Sequence, residues 1–196
     1  LAIKWIQMAQ SKQLDGGVSA SVVLNKPSNQ RLQRSYPEVT GYIIPTVFDY
    51  FHLTEKKKYY ESAIRMARFE LNLQNTDGSF PGGIIALKNH ETKRSVFNSG
   101  QILHGLNRTY KETKDKSFLD SLIRCADWLV EVQASDGSWS KYNYGGMKRV
   151  YDTKVSESLV ETFLITGEKK YKEASKKNLD FVLSNQTSNG WYKNAD

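Results

Sequence analysis

The stretch Ala126–Trp139 reads ADWLVEVQASDGSW, and it decides the fold because two other parts of the chain repeat its landmarks. The landmarks are an aromatic residue, a glutamine five residues later, and a glycine that an aromatic residue soon follows. The copies run from Thr54 to Asp77, from Thr113 to Asp136 and from Thr166 to Asn189, and the matched ends are 23 residues apart in each copy. A fixed interval with repeated landmarks is typical of a repeat architecture.

Each copy, together with the stretch before it, predicts a pair of helices. Within each copy, as in Tyr59 to Gln74, apolar residues recur at helical spacing with charges between them, which predicts an outer helix with one wet face. The stretches before the copies carry fewer charges and predict inner helices that are covered on more than one side, over Thr40 to Leu53, Ser99 to Tyr110 and Thr153 to Ile165. The first thirteen residues match only the second half of a copy. We therefore expect an all-α chain of about three and a half helical hairpins and seven helices.

The two kinds of connection in the repeat differ in length. A few residues join each inner helix to its outer helix, whereas the connections from outer to inner helix span roughly 14–39, 75–98 and 134–152. Connections longer than about 12 to 15 residues are unusual in compact domains and are often functional. All of the long connections should leave from one end of the hairpins, so we expect the functional site on that face.

The glutamine and the Asp-Gly-Ser turn have a structural interpretation. A helix ends with carbonyl groups that lack partners, and a glycine just beyond the end adopts the left-handed conformation easily. Gln74 and Gln133 are therefore predicted to donate their side-chain amides to the exposed carbonyls of their own helix ends.

Composition narrows the classes of function. The chain has 196 residues, a net charge of +7 and a pI near 9.3, which favours anionic partners, but no nucleic-acid motif accompanies the charge. No apolar run of 18 or more residues occurs, so a membrane span is not expected. One cysteine, Cys125, and three dispersed histidines, His52, His90 and His104, argue against a metal site, and we expect no cofactor. The first residues lack the order of a signal peptide. We expect a bacterial, cytoplasmic location.

The pattern formed by Ala126, Trp128, Gln133, Gly137 and Trp139 resembles the Gln-Trp repeats of squalene and oxidosqualene cyclases and of the wider α/α toroid superfamily. That superfamily also includes protein prenyltransferases and the six-hairpin glycosidases and lyases. The resemblance covers nearly the whole chain. It implies an incomplete α/α toroid with long loops on one face, in a single domain over residues 1–196 that is a fragment or arc of a larger ring.

Three segments carry a narrower resemblance, to uncharacterised bacterial toroid proteins associated with polysaccharide biosynthesis. They are Ser35–Tyr42, Val96–Gln101 and Tyr151–Val155. In those proteins an Asp commonly stands at the position of Asn98, and Asn-Thr-Arg at residues 152–154. This chain departs from the pattern at both places, and the departures change the charge there.

The candidate site lies at the predicted starts of the inner helices. Aligning these helices on their apolar positions stacks Thr40, Ser99 and Thr153, with Asn98 and Asp152 just before the last two. Helix capping alone could explain such residues. The remaining polar and aromatic side chains, aimed by several helix N-termini, suit a polar and preferably anionic ligand. We take Glu38, Asp152 and His104 as candidate catalytic residues. The candidate substrate-binding residues are Tyr36, Tyr42, Asn98, Gln101, Trp139, Tyr151, Lys154 and Glu157, with Tyr144 as a further ring.

Three functions remain open. The first is a carbohydrate-active domain for an acidic, uronate-type oligosaccharide or polysaccharide, in which Lys154 meets a carboxylate and Glu38 and Asp152 are acid and base; hydrolase, lyase and epimerase are not distinguished. The second is a non-catalytic binding or scaffold module of polysaccharide assembly, which can self-associate through its open repeat ends. The third is a terpenoid or prenyl-group enzyme, which requires a deep apolar cavity.

Overall fold

A computed structural model describes residues 2–27, 31–84, 93–193 and 195. Its described residues form α-helices, two short 3-10 helices (Tyr144–Gly146 and Val150–Asp152) and loops, with isolated β-bridges and no strand. The helices are α1 (Ala2–Ser11), α2 (Pro37–Thr54), α3 (Lys57–Leu73), α4 (Val96–Thr113), α5 (Lys116–Glu131), α6 (Thr153–Thr166) and α7 (Lys169–Ser184). The predicted all-α fold of seven helices is confirmed.

Two inner helices begin about one turn earlier than predicted. Helix α2 starts at Pro37, whose fixed φ suits a first helical position. Helix α4 is capped by Ser95, whose Oγ accepts the backbone N–H of Asn98 at 3.3 Å. Asp152 stands at the N-cap position of α6 but makes no capping hydrogen bond through its side chain. The capping interpretation of Asn98, Ser99 and Asp152 is therefore wrong.

The inner helices α2, α4 and α6 pack side by side, and α3, α5 and α7 back them. Helices α2 and α4 approach closely because glycines face each other: a Cβ on Gly105 would lie 2.4 Å from the carbonyl oxygen of Gly41. Pro45 lies inside α2 and has no N–H to donate to that same carbonyl. The close packing of α2 on α4 thus depends on Gly41 and Gly105.

The repeated glutamine joins each hairpin to the next one. Gln74 Nε2 donates to the carbonyl of Gly78 at 3.0 Å and to that of Ser121 in α5 at 2.9 Å. Gln133 repeats both bonds, to Gly137 at 3.1 Å and to Ala174 in α7 at 2.9 Å. The predicted partners were wrong, because the carbonyls belong to the turn and to the next outer helix.

The turn glycine fits against the same neighbouring helix. Gly137 has a φ of +84°, and a Cβ there would lie 2.1 Å from the carbonyl oxygen of Lys177 in α7. Gly78 faces α5 in the same way. The glutamine and the glycine of one hairpin therefore set its register against the next.

The aspartate of each turn holds the long loop that follows it. Asp15 accepts from Ser35 Oγ at 2.7 Å, and Asp77 and Asp136 pair with Arg94 and Lys148, each at 2.5 Å. The hydrogen bond from Lys148 is the main reason that the pKa of Asp136 falls to about 2. Because each loop returns to the turn where it began, the long loops gather on one face, as predicted.

None of the described helices is both long enough and apolar enough to cross a membrane. That the chain is one domain and an arc of a larger ring stays a prediction.

Candidate functional site

A cavity of about 1310 Å³ opens on the face where the long loops gather. The three long loops and the starts of α2 and α4 contribute to its wall. The side chains that line it are mostly polar, charged or aromatic, and include Tyr36, Glu38, Asn75, Lys93, Arg94, Asn98, Tyr142, Asn143, Tyr144 and Tyr151. This volume exceeds that of a pocket for a drug-sized molecule, about 300 to 1,000 Å³, and leaves room for more than one sugar ring.

Glu38 enters the cavity from the first turn of α2. Tyr36 precedes this helix and donates its hydroxyl to Glu38 Oε2 at 2.8 Å. Burial, and then the bond to Glu38, raises the pKa of Tyr36 to about 12, so the phenol stays protonated and keeps donating. Tyr42, one helical turn beyond Glu38, is 43% exposed. Glu38 is thus a carboxylate fixed at a helix N-terminus, where negative charge is favoured.

Asp152 is a buried carboxyl group beside the cavity wall. Its Oδ2 accepts from Asn143 Nδ2 at 2.6 Å, and its Oδ1 has no partner among the described residues. Burial raises the pKa of Asp152 to about 7, against the opposing effects of Asn143 and Arg149. A carboxyl group with such a pKa can give or take a proton near neutral pH.

The register of the inner helices corrects the sequence alignment. Gly41 packs against Ile102, and Gly100, which occupies the equivalent position in the next hairpin, packs against Val155. Val155 is therefore the equivalent of Ile102. Counting back three residues from each, Asp152, and not Thr153, is the equivalent of Ser99. Ser99 Oγ accepts the N–H of Phe80 at 2.9 Å, and Thr40 does the same for Val18 in the previous hairpin. Asp152 therefore replaces a hydroxyl group that binds the loop, and it brings a titratable group to that place.

Tyr151 links the two carboxyl groups electrostatically. Burial raises its pKa, and Asp152 and Glu38 each add to the rise, so both lie close enough to act on the same phenol. The ring of Tyr151 packs edge-on against Phe97, with 5.1 Å between the ring centroids. Glu38 and Tyr151 line the cavity, whereas Asp152 is fully buried behind its wall and contacts the lining residue Asn143.

Asn98 lies in the first turn of α4 and is 6% exposed. Its Oδ1 accepts from Ser95 Oγ at 2.9 Å. Its Nδ2 makes no hydrogen bond of standard length and angle in the described part of the chain, and a weaker hydrogen-bonding contact with the Tyr36 hydroxyl lowers the pKa of that phenol. Asn98 thus keeps a donor at the cavity wall that no standard hydrogen bond satisfies.

Residues 83–192, more than half of the chain, match the model of the family described as "Beta-L-arabinofuranosidase, GH127 catalytic domain". The chain belongs to this family. The match includes Asn98, Tyr151 and Asp152, whereas Tyr36 and Glu38 lie before it. No curated protein is significantly similar to the chain in sequence.

Solved structures share the fold of this GH127-family chain. The unsaturated glucuronyl hydrolase from Bacillus sp. GL1, described as responsible for the degradation of glycosaminoglycan, has a TM-score of 0.76 and 12% identity, over 99% of this chain and 58% of its own. A possible GH105 member from Salmonella enterica serovar Paratyphi A has a TM-score of 0.74 and 13% identity, over 98% and 54%. A family 76 glycoside hydrolase from a bovine Bacteroides thetaiotaomicron strain has a TM-score of 0.72 and 18% identity, over 96% and 42%.

These likenesses confirm the toroid type of the GH127-family chain, as the repeats predicted. At such identities they show the fold alone. The chain spans about half the length of the solved structures that it matches.

Several candidate site residues lie away from the cavity. Trp139 is fully buried and donates its Nε1 to the carbonyl of Leu129 at 2.9 Å, so its ring is not presented to a sugar. Gln101 is 5% exposed and lies in the packing between helices. Tyr42 does not line the cavity wall.

The candidates on the outward sides of α4 and α6 contact charged side chains of their neighbours. His104 Nδ1 lies 2.9 Å from Glu161 Oε2, and Lys154 pairs with Glu157 at the surface. None of these side chains lines the cavity. His90 lies outside the described residues, and the described residues hold no cluster of three or more His, Cys, Asp or Glu that could bind a metal.

Sequence reasoning missed Lys93, Arg94 and Asn143, which line the cavity. A hydrogen bond from the N–H of Gly82 to the carbonyl of Lys93, at 2.8 Å, fixes the segment before α4 at the cavity edge. Arg94 also lies over the ring of Tyr142, with 5.7 Å from Cζ to the ring centroid. These residues lie in long loops without helical periodicity, so the only available signal was the cationic pair directly before a Ser cap.

Proposed function

We propose that this GH127-family domain is carbohydrate-active on a glycan with an acidic, uronate-type sugar, with Glu38 and Asp152 as its acid and base. The carrying observation is a polar cavity lined by Glu38, a carboxylate at a helix N-terminus, with Asp152, a buried carboxyl group whose pKa is raised to about 7, directly behind the lining residue Asn143. Glycoside hydrolysis uses two such groups, one protonated and one ionised. Asp152 supplies the proton, and Glu38 acts as the base or nucleophile.

The type of reaction follows from the family. Its description names a glycosidase, which supports hydrolysis over the lyase and epimerase alternatives. The type of sugar follows from charge. The arabinofuranose in the family's description is a neutral sugar, whereas the glucuronyl group named for the Bacillus protein is acidic. The net charge of +7, together with Lys93 and Arg94 in the cavity, supports the acidic sugar.

The test compares substrates and variants. The protein is incubated with an aryl β-L-arabinofuranoside, an unsaturated glucuronyl disaccharide from a glycosaminoglycan and a polyuronate, and products are separated by chromatography. We expect release of sugar from an acidic substrate, and no turnover by the Glu38→Gln, Asp152→Asn double variant. Glu61→Gln, on the exposed side of α3, is the matched control. Full turnover by the double variant would remove both assignments.

A binding module without chemistry is the second candidate. It is favoured by Asn98, an amide that places no charge in the first turn of α4. Calorimetry that shows binding of the acidic glycan, together with no product after prolonged incubation, would support this role over the enzymatic one.

The terpenoid alternative lacks support. Charged and amide groups line the cavity, and an ion pair between Arg108 of α4 and Asp49 of α2, at 2.7 Å, joins the inner helices. An apolar isoprenoid gains nothing from such walls.

We propose further that the chain associates with itself through the face of α6 and α7. Leu164 and Leu183 are 71% and 60% exposed. Trp191, which follows the glycine of the last turn, is 71% exposed, whereas Trp139, which follows the glycine of the preceding turn, is fully buried. Sedimentation should show concentration-dependent association that Leu183→Lys weakens; a monomer at every concentration would contradict it. The cytoplasmic location stays a prediction of the sequence.

A further inference from the structure

We propose that the cavity contains an anion-binding subsite at the start of α4, built from Asn98 and Lys93, which takes the carboxylate or sulfate of a sugar next to the bond at Glu38 and Asp152. The proposal rests on the proposed function in that its ligand is a sugar. It adds the place where the acidic group binds and the side chains that select it.

The first observation is the amide nitrogen of Asn98, which no hydrogen bond of standard geometry satisfies. Ser95 Oγ accepts a hydrogen bond from the backbone N–H of Asn98. The Ser95 hydroxyl in turn donates its own proton to Oδ1 of the Asn98 side chain. This exchange turns Nδ2, with both of its protons, away from Ser95. Nδ2 is buried, makes no hydrogen bond of standard geometry with a described residue, contacts the Tyr36 hydroxyl only weakly, and belongs to a side chain that lines the cavity. A buried donor is costly unless a ligand or water accepts its hydrogen bond.

The second observation is the charge around that amide. The first turn of an α-helix carries partial positive charge, and α4 runs from Val96 to Thr113. Lys93 stands just before the cap, lines the cavity and forms no ion pair with a described carboxylate. The carboxylate of Asp77 is held by Arg94 at 2.5 Å. An anion at this place therefore meets a lysine, a helix N-terminus and an amide donor.

The third observation fixes the anion relative to the reacting groups. Glu38 is negatively charged and would repel a second carboxylate, so an acidic sugar cannot place its own acid there. Tyr36 lies between the two places, because it donates to Glu38 and lies near Asn98. The acidic group thus binds on the Asn98 side of Tyr36, and the bond to be broken lies on the Glu38 side.

The test measures binding of small sugars that need not be cleaved. Methyl β-D-glucuronide, glucose 6-sulfate and methyl β-D-glucoside are titrated calorimetrically into the wild-type protein. We expect one or both anionic sugars to bind about tenfold or more tightly than the glucoside, since a hydrogen bond to a charged group is worth about 1.5–3 kcal/mol. The preferred anionic sugar tells a carboxylate from a sulfate. Equal binding of all three would overturn the proposal.

Variants locate the subsite. Asn98→Asp, which keeps the shape and adds a negative charge, should abolish the preference for the anion, and Lys93→Gln should weaken anion binding about tenfold while glucoside binding is unchanged. Lys116→Gln, an exposed lysine at the opposite end of the hairpin, makes the same change of charge and should have no effect. An unchanged anion preference in Lys93→Gln would overturn the proposal even if Asn98→Asp fails to fold.

The outcome is separable from the proposed function. If the Glu38→Gln, Asp152→Asn double variant loses turnover and keeps its anion preference, both proposals stand. If the anion preference is present and no substrate is ever turned over, the subsite stands and the assignment of the acid and base falls.

Discussion

Replacing Glu70 by leucine should make the protein more stable. Glu70 is completely buried in α3, and neither of its carboxyl oxygens has a hydrogen-bond partner among the described residues. The corresponding positions of the next two outer helices hold Leu129 and Val182, both buried. Burial, and then the charge of Asp15, raises the pKa of Glu70 well above its usual 4.5. The repeat therefore holds a carboxylic acid where its other copies hold a hydrocarbon.

The gain should depend on pH, with a definite sign. The folded protein keeps a proton on Glu70 that the unfolded chain releases above about pH 4.5, so the free energy of unfolding of the wild type falls as pH rises toward the raised pKa. The fall is at most about 1.4 kcal/mol per pH unit. Removing the unsatisfied group itself is worth about 1–3 kcal/mol. Glu70→Leu should thus exceed the wild type by about 1–3 kcal/mol near pH 5 and by more at pH 8.

Urea unfolding at pH 5, 6.5 and 8 measures this difference. Glu70→Gln keeps the shape of the side chain and cannot titrate, so its stability should vary less with pH than that of the wild type. It should not show the gain in stability expected for the leucine variant. Glu61→Gln, exposed on the same helix, should change stability by less than about 0.5 kcal/mol. A leucine variant that is less stable than the wild type at pH 8, or that keeps the wild-type pH dependence, would refute the reasoning.

Three further predictions concern the turn and the candidate acid. Gly137→Ala should destabilise the protein by more than about 2 kcal/mol in urea unfolding, because it adds a clash to the strain of positive φ, whereas Gly190→Ala, with a φ of +85° and nothing within 4 Å, should cost only about 1–2 kcal/mol. Gln74→Ala leaves the carbonyls of two segments without their donor and should lower the free energy of unfolding by about 1–3 kcal/mol. Gln186→Ala, at an exposed turn, should lower it much less. Similar losses of stability in the two variants would show that the hydrogen bond to the next helix does not stabilise the protein. If Asp152 is the general acid, kcat/KM should fall as pH rises above about 7, and a pH–rate profile that is flat from pH 6 to 8 would exclude that role.

The helices were predictable because their signals are local. Apolar spacing and the repeated Gln and Gly located every hairpin, and the long connections indicated which face carries the site. The starts of α2 and α4 were not found because their signals, Pro37 and Ser95, lie before the apolar pattern begins. A helix can begin as soon as its first N–H groups have partners, whether or not the residues there are apolar.

The site was predictable only in part. Tyr36, Glu38, Asn98 and Tyr151 line the cavity because they sit at helix starts, which the repeat placed on one face. Trp139 is aromatic, as Tyr36 and Tyr151 are, and follows the turn on the same loop face, but its ring fills the core. Whether a ring faces a cavity or the core depends on the packing around it, and periodicity carries no information about that in an irregular loop.

The sequence by itself determined the number of hairpins, their order and the face on which the loops gather, because each of these depends on residues near one another in the chain. Only the tertiary structure decided which carboxyl group is buried, which amide lacks a partner and which lysine reaches the cavity. Those properties arise where segments far apart in the chain meet. Burial and pairing at such a meeting are set by the register between helices, and a slip of one residue, such as that between Thr153 and Asp152, changes which group is placed there.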